Sequence, residues 1–356
     1  MKKILHISRT MGQGGAEKVV YQLCKDIDKM EKIVASTGGI YEDELKKYGV
    51  KHYYIPDIDS KNPILMIKTF FKLKRIIKKE NIEIVHSHHR MAAFYSKVLN
   101  MFNKKFKRVY TAHNIFYNKK LLLKYALKDS VVIACGEGVK KNLVDFYGIK
   151  DTKIDVICNS IEKKDIINKP SDSFLENKEN KVFVGTVGRL SEQKGIDVFI
   201  SAMAKLINKD SNIYAVVIGD GKLKSQLKVM VDKLNVKKNV LFLGYRSDVI
   251  ELISQMDFIV LASRWEGFPL TPIETFSVGK TIIVTDIDGN NEIVKNEYNG
   301  LLFEKDNVDE LCKKIECLIY DTGKRMSFEK NAIKTYDEYF SYSIFIAKYI
   351  KIYQSV

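Results

Sequence analysis

Short runs of β-branched and aliphatic residues, each followed by a helix-length window, recur along this chain, and no other feature constrains its fold as much. In the first half, residues 3–8, 51–55, 82–88, 108–114, 131–135 and 153–158 read as strands with their loops. Helical windows follow a glycine turn up to about residue 28, and then cover 64–80, 92–102 and 137–147. In the second half, 214–218, 240–245, 258–262 and 281–285 read as strands, and 196–206 and 339–353 as helices. Repeated βα units need long crossovers, and these build doubly wound parallel sheets with helices on both faces. A polar stretch at 162–181, marked by Pro170, interrupts the pattern as an interdomain linker would. The expected division is 1–165, a linker at 166–180, 181–338, and a terminal helix at 339–356.

A chain of 356 residues can fill two such cores. No segment approaches the roughly 18 consecutive apolar residues of a membrane span. The apolar run Ile4–Ile7 after Met1-Lys2-Lys3 is too short for a signal peptide, so a cytoplasmic protein is expected. The five cysteines show no zinc-type spacing and read as buried, reduced thiols. The net charge of +15 is one-sided. Residues 1–165 hold 33 Lys and Arg against 18 Asp and Glu, whereas 166–356 hold 26 of each. The first half therefore suits an anionic partner: a membrane surface, a diphosphate-bearing acceptor or nucleic acid.

Three stretches carry candidate chemistry. Glu266 and Glu274 bracket the turn Gly267-Phe268-Pro269-Leu270-Thr271, which runs from a strand end into a helix start. Backbone N–H groups at a helix start can hold an anion there, although Pro269 has none to give. Gly188-Arg189-Leu190, with Lys194 five residues beyond Arg189, sets two cations at a strand end beside another helix start, which suits a departing diphosphate. Gly14-Gly15-Ala16-Glu17 makes a β–α turn open to phosphate or sugar, but its spacing is not that of a dinucleotide fingerprint. His86, His88 and His89 belong to one strand and its loop, and His113 follows another strand end; His86-Ser87-His88 has no neighbouring Asp, Cys or Glu to complete a metal site.

Glu266 and Glu274, taken with Arg189-Leu190 and Lys194, resemble the E-x7-E and phosphate-binding motifs of the retaining glycosyltransferases of family 4 (glycosyl transferases group 1). The resemblance spans nearly the whole chain. It implies the GT-B fold, two Rossmann-like doubly wound domains facing across a crevice, with the terminal helix crossing back to brace the first. It implies that Glu266 meets the donor sugar, that Glu274 meets the ribose, and that N–H groups around Leu270 and Thr271 meet the phosphates. In the same way Arg189 and Lys194 stabilise the leaving diphosphate, with Gly188, Gly267 and Phe268 in the donor site. Gly244-Tyr245 lines the nucleobase pocket. Thr111-Ala112-His113 resembles the T-x-H segment that contacts the transferred sugar, and the Gly14–Glu17 turn sits beside donor diphosphate and acceptor. Glu17 and His88 fall on the acceptor side. Two departures are Ser160, where Asn-Gly is usual, and Asp288, where a second glycine is frequent. Neither Asp220 nor Asp288 reads as a metal ligand, and no cofactor or metal is expected.

The expected activity is transfer from a nucleotide-sugar, with uracil as the default base, to a lipid-linked glycan at the cytoplasmic face of the membrane. The basic helix at 68–79 and the Lys-rich segments 104–108 and 119–124 would make the peripheral contact with anionic lipid. A nucleotide-sugar epimerase or a phosphorylase on the same plan stays open. Nucleic-acid binding fits the charge but not the neutral second half.

Overall fold

The computed structural model describes residues 2–102, 106–163 and 180–356. The expected linker, except Asn180, lies outside them, as do Lys104 and Lys105. The chain divides into two units, Met1–Asn159 with Ser343–Val356, and Ser160–Tyr342. The breaks between the units thus fall at 159/160 and 342/343.

The first unit holds β1 (Lys3–Ile7), β2 (Glu31–Ser36), β3 (Lys51–Tyr54), β4 (Ile84–Ser87), β5 (Lys107–Ala112), β6 (Val131–Ala134) and β7 (Ile154–Val156). Between them run α1 (Gly15–Asp26), α2 (Tyr41–Lys47), α3 (Pro63–Glu80), α4 (Arg90–Phe102), α5 (Lys120–Leu127) and α6 (Glu137–Asp145). The sheet is parallel in the order β3-β2-β1-β4-β5-β6-β7. It reverses direction of winding between β1 and β4, so loops after these two strands part there and leave room for a ligand.

The second unit repeats the scheme with β8 (Val182–Val187), β9 (Ile213–Ile218), β10 (Val240–Gly244), β11 (Phe258–Leu261), β12 (Ile282–Thr285) and β13 (Gly300–Phe303), ordered β10-β9-β8-β11-β12-β13. Its helices are α7 (Ile196–Ile207), α8 (Lys224–Lys233), α9 (Val249–Gln255), α10 (Leu270–Ser277), α11 (Asn290–Ile293), α12 (Val308–Tyr320) and α13 (Thr322–Tyr339). Every residue of β11 and β12 is buried, as expected of parallel strands covered on both faces, and this is why they read as unbroken apolar runs.

Local chemistry explains where elements start and stop. Asn62 caps α3 by accepting from Ile64 N and Leu65 N, with Pro63 at the first helical position, and Asn81 ends the helix in the left-handed region. The basic helix divides along its length. Leu73, Ile76 and Ile77 enter the core, while Ile64, Ile67 and Phe71 stay exposed.

Two expectations need correction. The helix expected over 339–353 is two elements: α13 ends at Tyr339, and α14 (Tyr342–Ser355) begins after Phe340-Ser341. Phe340 is buried against Phe268, and its carbonyl accepts from Ser160 Oγ at 2.5 Å, so the chain turns here to bury an aromatic ring. All five cysteines are free, but Cys158 and Cys317 are partly exposed rather than buried. Cys317 lies off the apolar stripe of α12 formed by Leu311, Ile315 and Leu318.

Candidate functional site

The second sheet switches direction between β8 and β11, and the loops after these strands are tied together there. Arg264 N donates to Gln193 O at 2.7 Å, and Gln193 Nε2 to Trp265 O at 2.9 Å. The Arg264 guanidinium spans Asp197 at 2.6 and 3.1 Å and Asp306 at 2.8 Å, and also reaches Glu192 O. Gly195 is left-handed at φ 58°, and a Cβ on it would lie 2.0 Å from Ala262 O, so only glycine lets the loops approach this closely. Arg264, Asp197 and Gln193 carry no signal of their own in the sequence, because the residues they meet are distant along the chain.

This clamp brings together candidates from separate motifs. Lys194 Nζ is 2.6 Å from Glu266 Oε1, which also accepts from Ser263 Oγ at 2.7 Å. Glu266 and Glu274 are each only 7% exposed. An ammonium has three N–H donors, so the bond to Glu266 leaves Lys194 with capacity for another acceptor. Arg189 is exposed and forms no ion pair among the described residues. Gly188 precedes it with its amide bonded to Ile218 O.

Helix α10 opens at Leu270 behind Pro269, with no side-chain cap. Its first N–H groups thus receive no internal side-chain acceptor, the usual condition for anion binding at a helix start. Thr271 and Glu274 lie buried within this helix, and Leu270 is partly exposed. Phe268 points its ring into the core, 6.0 Å from that of Phe340, which leaves its backbone, not its ring, for a donor. Gly267 is fixed from the other side, because a Cβ on Gly289 would lie 2.5 Å from Gly267 O. Gly244 is left-handed and its carbonyl accepts from Gly219 N, while Tyr245 is exposed.

In the first unit, the loop after β1 carries Gly14 and Gly15 into α1. Glu17, partly buried, accepts from Thr10 Oγ1 at 2.6 Å. The loops after β4 and β5 bring His88 and His113 together, 3.0 Å between Nδ1 and Nε2. His88 also meets His6, a residue the sequence did not mark, at 3.0 Å. Both nitrogens of the buried His88 ring are therefore engaged within the protein. His86 is bonded to Tyr353 OH at 2.6 Å and Thr111 Oγ1 at 2.8 Å. Tyr353 comes from α14, which belongs to this unit. Burial keeps these rings neutral. His6 is lowered to about 3, mainly by desolvation and then by Lys32, and His113 to about 4 by burial. His86 and His88 fall well below the usual value, first by burial and then by neighbouring histidines.

Comparison with known proteins agrees with this architecture. The family model described as Glycosyltransferase Family 4 matches residues 13–164, and that for Glycosyl transferases group 1 matches 168–335. The chain is 28% identical over 332 residues to the Escherichia coli UDP-Gal:alpha-D-GlcNAc-diphosphoundecaprenol alpha-1,3-galactosyltransferase, covering 86% of this chain and 85% of the relative. It is 29% identical to the Campylobacter jejuni N,N'-diacetylbacillosaminyl-diphospho-undecaprenol alpha-1,3-N-acetylgalactosaminyltransferase, covering 89% of each. A glycosyltransferase structure from Rickettsia africae matches 99% of this chain and 98% of its own, with TM-score 0.86 and 26% identity. Anabaena HepE in complex with UDP and glucose matches at TM-score 0.86 over the full length of both chains, and at 21% identity it speaks for the fold alone. Two adjoining family models, one for each parallel-sheet unit, account for nearly all of the sequence: the chain belongs to the family 4, group 1 glycosyl transferases, and it is a glycosyltransferase with the GT-B fold.

Proposed function

We propose that this enzyme takes a sugar from a UDP-sugar and passes it, with retention of configuration, to a lipid-linked, diphosphate-bearing glycan. The observation that carries the donor half is the Lys194–Glu266 pair at the sheet's switch point, beside Arg189 and the uncapped start of α10. Glu266 accepts from the sugar's hydroxyls and Glu274 from the ribose hydroxyls. Arg189, Lys194 and the N–H groups of Leu270 and Thr271 face the diphosphate, and Gly244-Tyr245 the base. His113 attends the sugar, and the Gly14–Glu17 turn the diphosphate and acceptor.

The bond from the anomeric carbon to the phosphate oxygen breaks, and that oxygen takes the proton of the acceptor hydroxyl. The acceptor oxygen bonds to the same face of the carbon. This course needs no covalent intermediate on Glu266. The negative charge that grows on the phosphate is met by two cations and a helix start, which do the work without a metal.

The acceptor half draws on the diphospho-undecaprenol acceptors in the names of the two bacterial relatives and on the charge of residues 1–165. On α3, Ile64 and Phe71 are 75% and 60% exposed among Lys68, Lys72, Lys74 and Arg75. No described helix is long and apolar enough to cross a membrane. Such a surface suits peripheral contact with anionic lipid at the cytoplasmic face.

The test is calorimetric titration of UDP, GDP and ADP into the unmodified enzyme and Glu274→Ala. UDP should bind preferentially, and the variant should lose about 1.5–3 kcal/mol, the worth of a hydrogen bond to a charged group. Binding of none of the three, or equal binding by the variant, would overturn the donor assignment.

A further inference from the structure

Four of the six histidines gather in the first unit: His6 on β1, His86 on β4, His88 beyond β4 and His113 beyond β5. Three of them form a line. His6 Nδ1 faces His88 Nε2 at 3.0 Å, and His88 Nδ1 faces His113 Nε2 at 3.0 Å. The two outer nitrogens, His6 Nε2 and His113 Nδ1, are buried with no partner among the described residues.

A neutral imidazole carries one N–H and one lone pair. Each contact in the line needs one of each. If His6 donates from Nδ1, His88 accepts at Nε2, carries its own proton on Nδ1 and donates to His113 Nε2. His113 must then hold its proton on Nδ1. Reversing the first bond moves all three protons to Nε2. Any mixed set sets two lone pairs or two N–H groups against each other.

We propose that His6 and His88 are positioning residues that fix the tautomer of His113, all three neutral rings sharing one tautomeric form. Either shared form leaves one buried N–H without a partner among the described residues, on His113 Nδ1 or on His6 Nε2, so the two ends of the line are coupled through His88. The proposal rests on the sugar-side reading of His113.

A metal is the competing use of the cluster, since His6, His86 and His88 can each set a ligand nitrogen within 4.8 Å of the others. However, both nitrogens of His86 are occupied by Tyr353 and Thr111, and the His6–His88 bond consumes the atoms a metal would take.

The experiment is two-bond proton–nitrogen correlation NMR on the full chain labelled with 15N-histidine, which separates the two neutral tautomers, paired with kinetics. In the unmodified protein His6, His88 and His113 should all show the same tautomer. Different tautomers among the three rings, or stoichiometric zinc on His6, His86 and His88, would overturn the proposal, even where a variant fails to fold. His6→Phe should lower kcat by roughly 10–100-fold, the range seen when a metal-bound histidine loses its orienting partner, and scramble the His113 tautomer. The KM for the nucleotide-sugar should stay unchanged. His6→Asn, whose side-chain amide reaches the position of Nδ1, should restore most of the rate. Unaltered kcat in His6→Phe would overturn the positioning role. Full activity in His113→Gln, with the shared tautomer intact, would instead overturn the sugar-side reading of His113.

Discussion

Lys194 and Glu266 lie 72 residues apart in sequence and 2.6 Å apart in space, each brought to the switch point by its own loop. Removing the lysine leaves a buried carboxylate with only Ser263 as partner among the described residues. Lys194→Met should therefore destabilise the second unit by about 1–3 kcal/mol, and Glu266→Gln in the same chain should recover part of that. A double-mutant cycle by urea unfolding measures the coupling; strict additivity would show that the contact is energetically idle. Mass spectrometry of Glu266→Gln and the unmodified enzyme under turnover should detect no glycosyl adduct at position 266 in either.

Tyr353 supplies the hydroxyl that satisfies His86 Nδ1. Tyr353→Phe keeps the ring and strands that nitrogen, so the first unit should lose about 1–3 kcal/mol, read from its urea midpoint. An unchanged midpoint would mean that His86 finds another partner.

The neutral histidines make the first unit acid-sensitive. Their folded values lie below the ordinary 6.5, about 4 for His113 and about 3 for His6, so below pH 6.5 the unfolded chain binds more protons than the folded one. Stability should fall as the pH drops from about 6.5 toward 4, each such ring contributing up to about 1.4 kcal/mol per pH unit. Thermal midpoints at pH 7 and 5 measure this. A level profile would contradict burial of the rings in neutral form.

The exposed half of α3 should carry membrane contact. The protein should sediment with vesicles containing phosphatidylglycerol at low salt and not with phosphatidylcholine alone. Phe71→Glu alters a surface residue, so folding should persist while vesicle partition falls by roughly tenfold or more, the worth of one buried aromatic side chain. Equal sedimentation of the variant would place the contact elsewhere.

Much of this arrangement could be read from sequence because it is written locally. Strands such as Val131–Ala134 and Phe258–Leu261 announce themselves by continuous apolar residues, and Arg189, Lys194, Glu266 and Glu274 by spacing around strand ends. Pairings between distant segments were not legible. His6 meets His88 across 82 residues, and His86 meets Tyr353 across 267. Nothing near His86 in sequence points to a ring on β1. The break at Phe340-Ser341 was missed because neither proline nor glycine marks it; burial of the Phe340 ring does the work. The two fates of α3 were missed for a related reason, since an amphipathic pattern tells which side is apolar but not how far the core extends to cover it.

Helix α14 has a consequence for biosynthesis. Tyr349 and Tyr353 fill the region around Thr111 and His86, yet they are translated after the whole of the second unit. While the ribosome is still making residues 160–342, the earlier sheet waits with an aromatic-shaped gap and polar nitrogens uncovered. The unit translated first is thus the one that completes last, and an enzyme halted before Tyr349 would carry a finished second unit and an unfinished first one, open to chaperones and proteases.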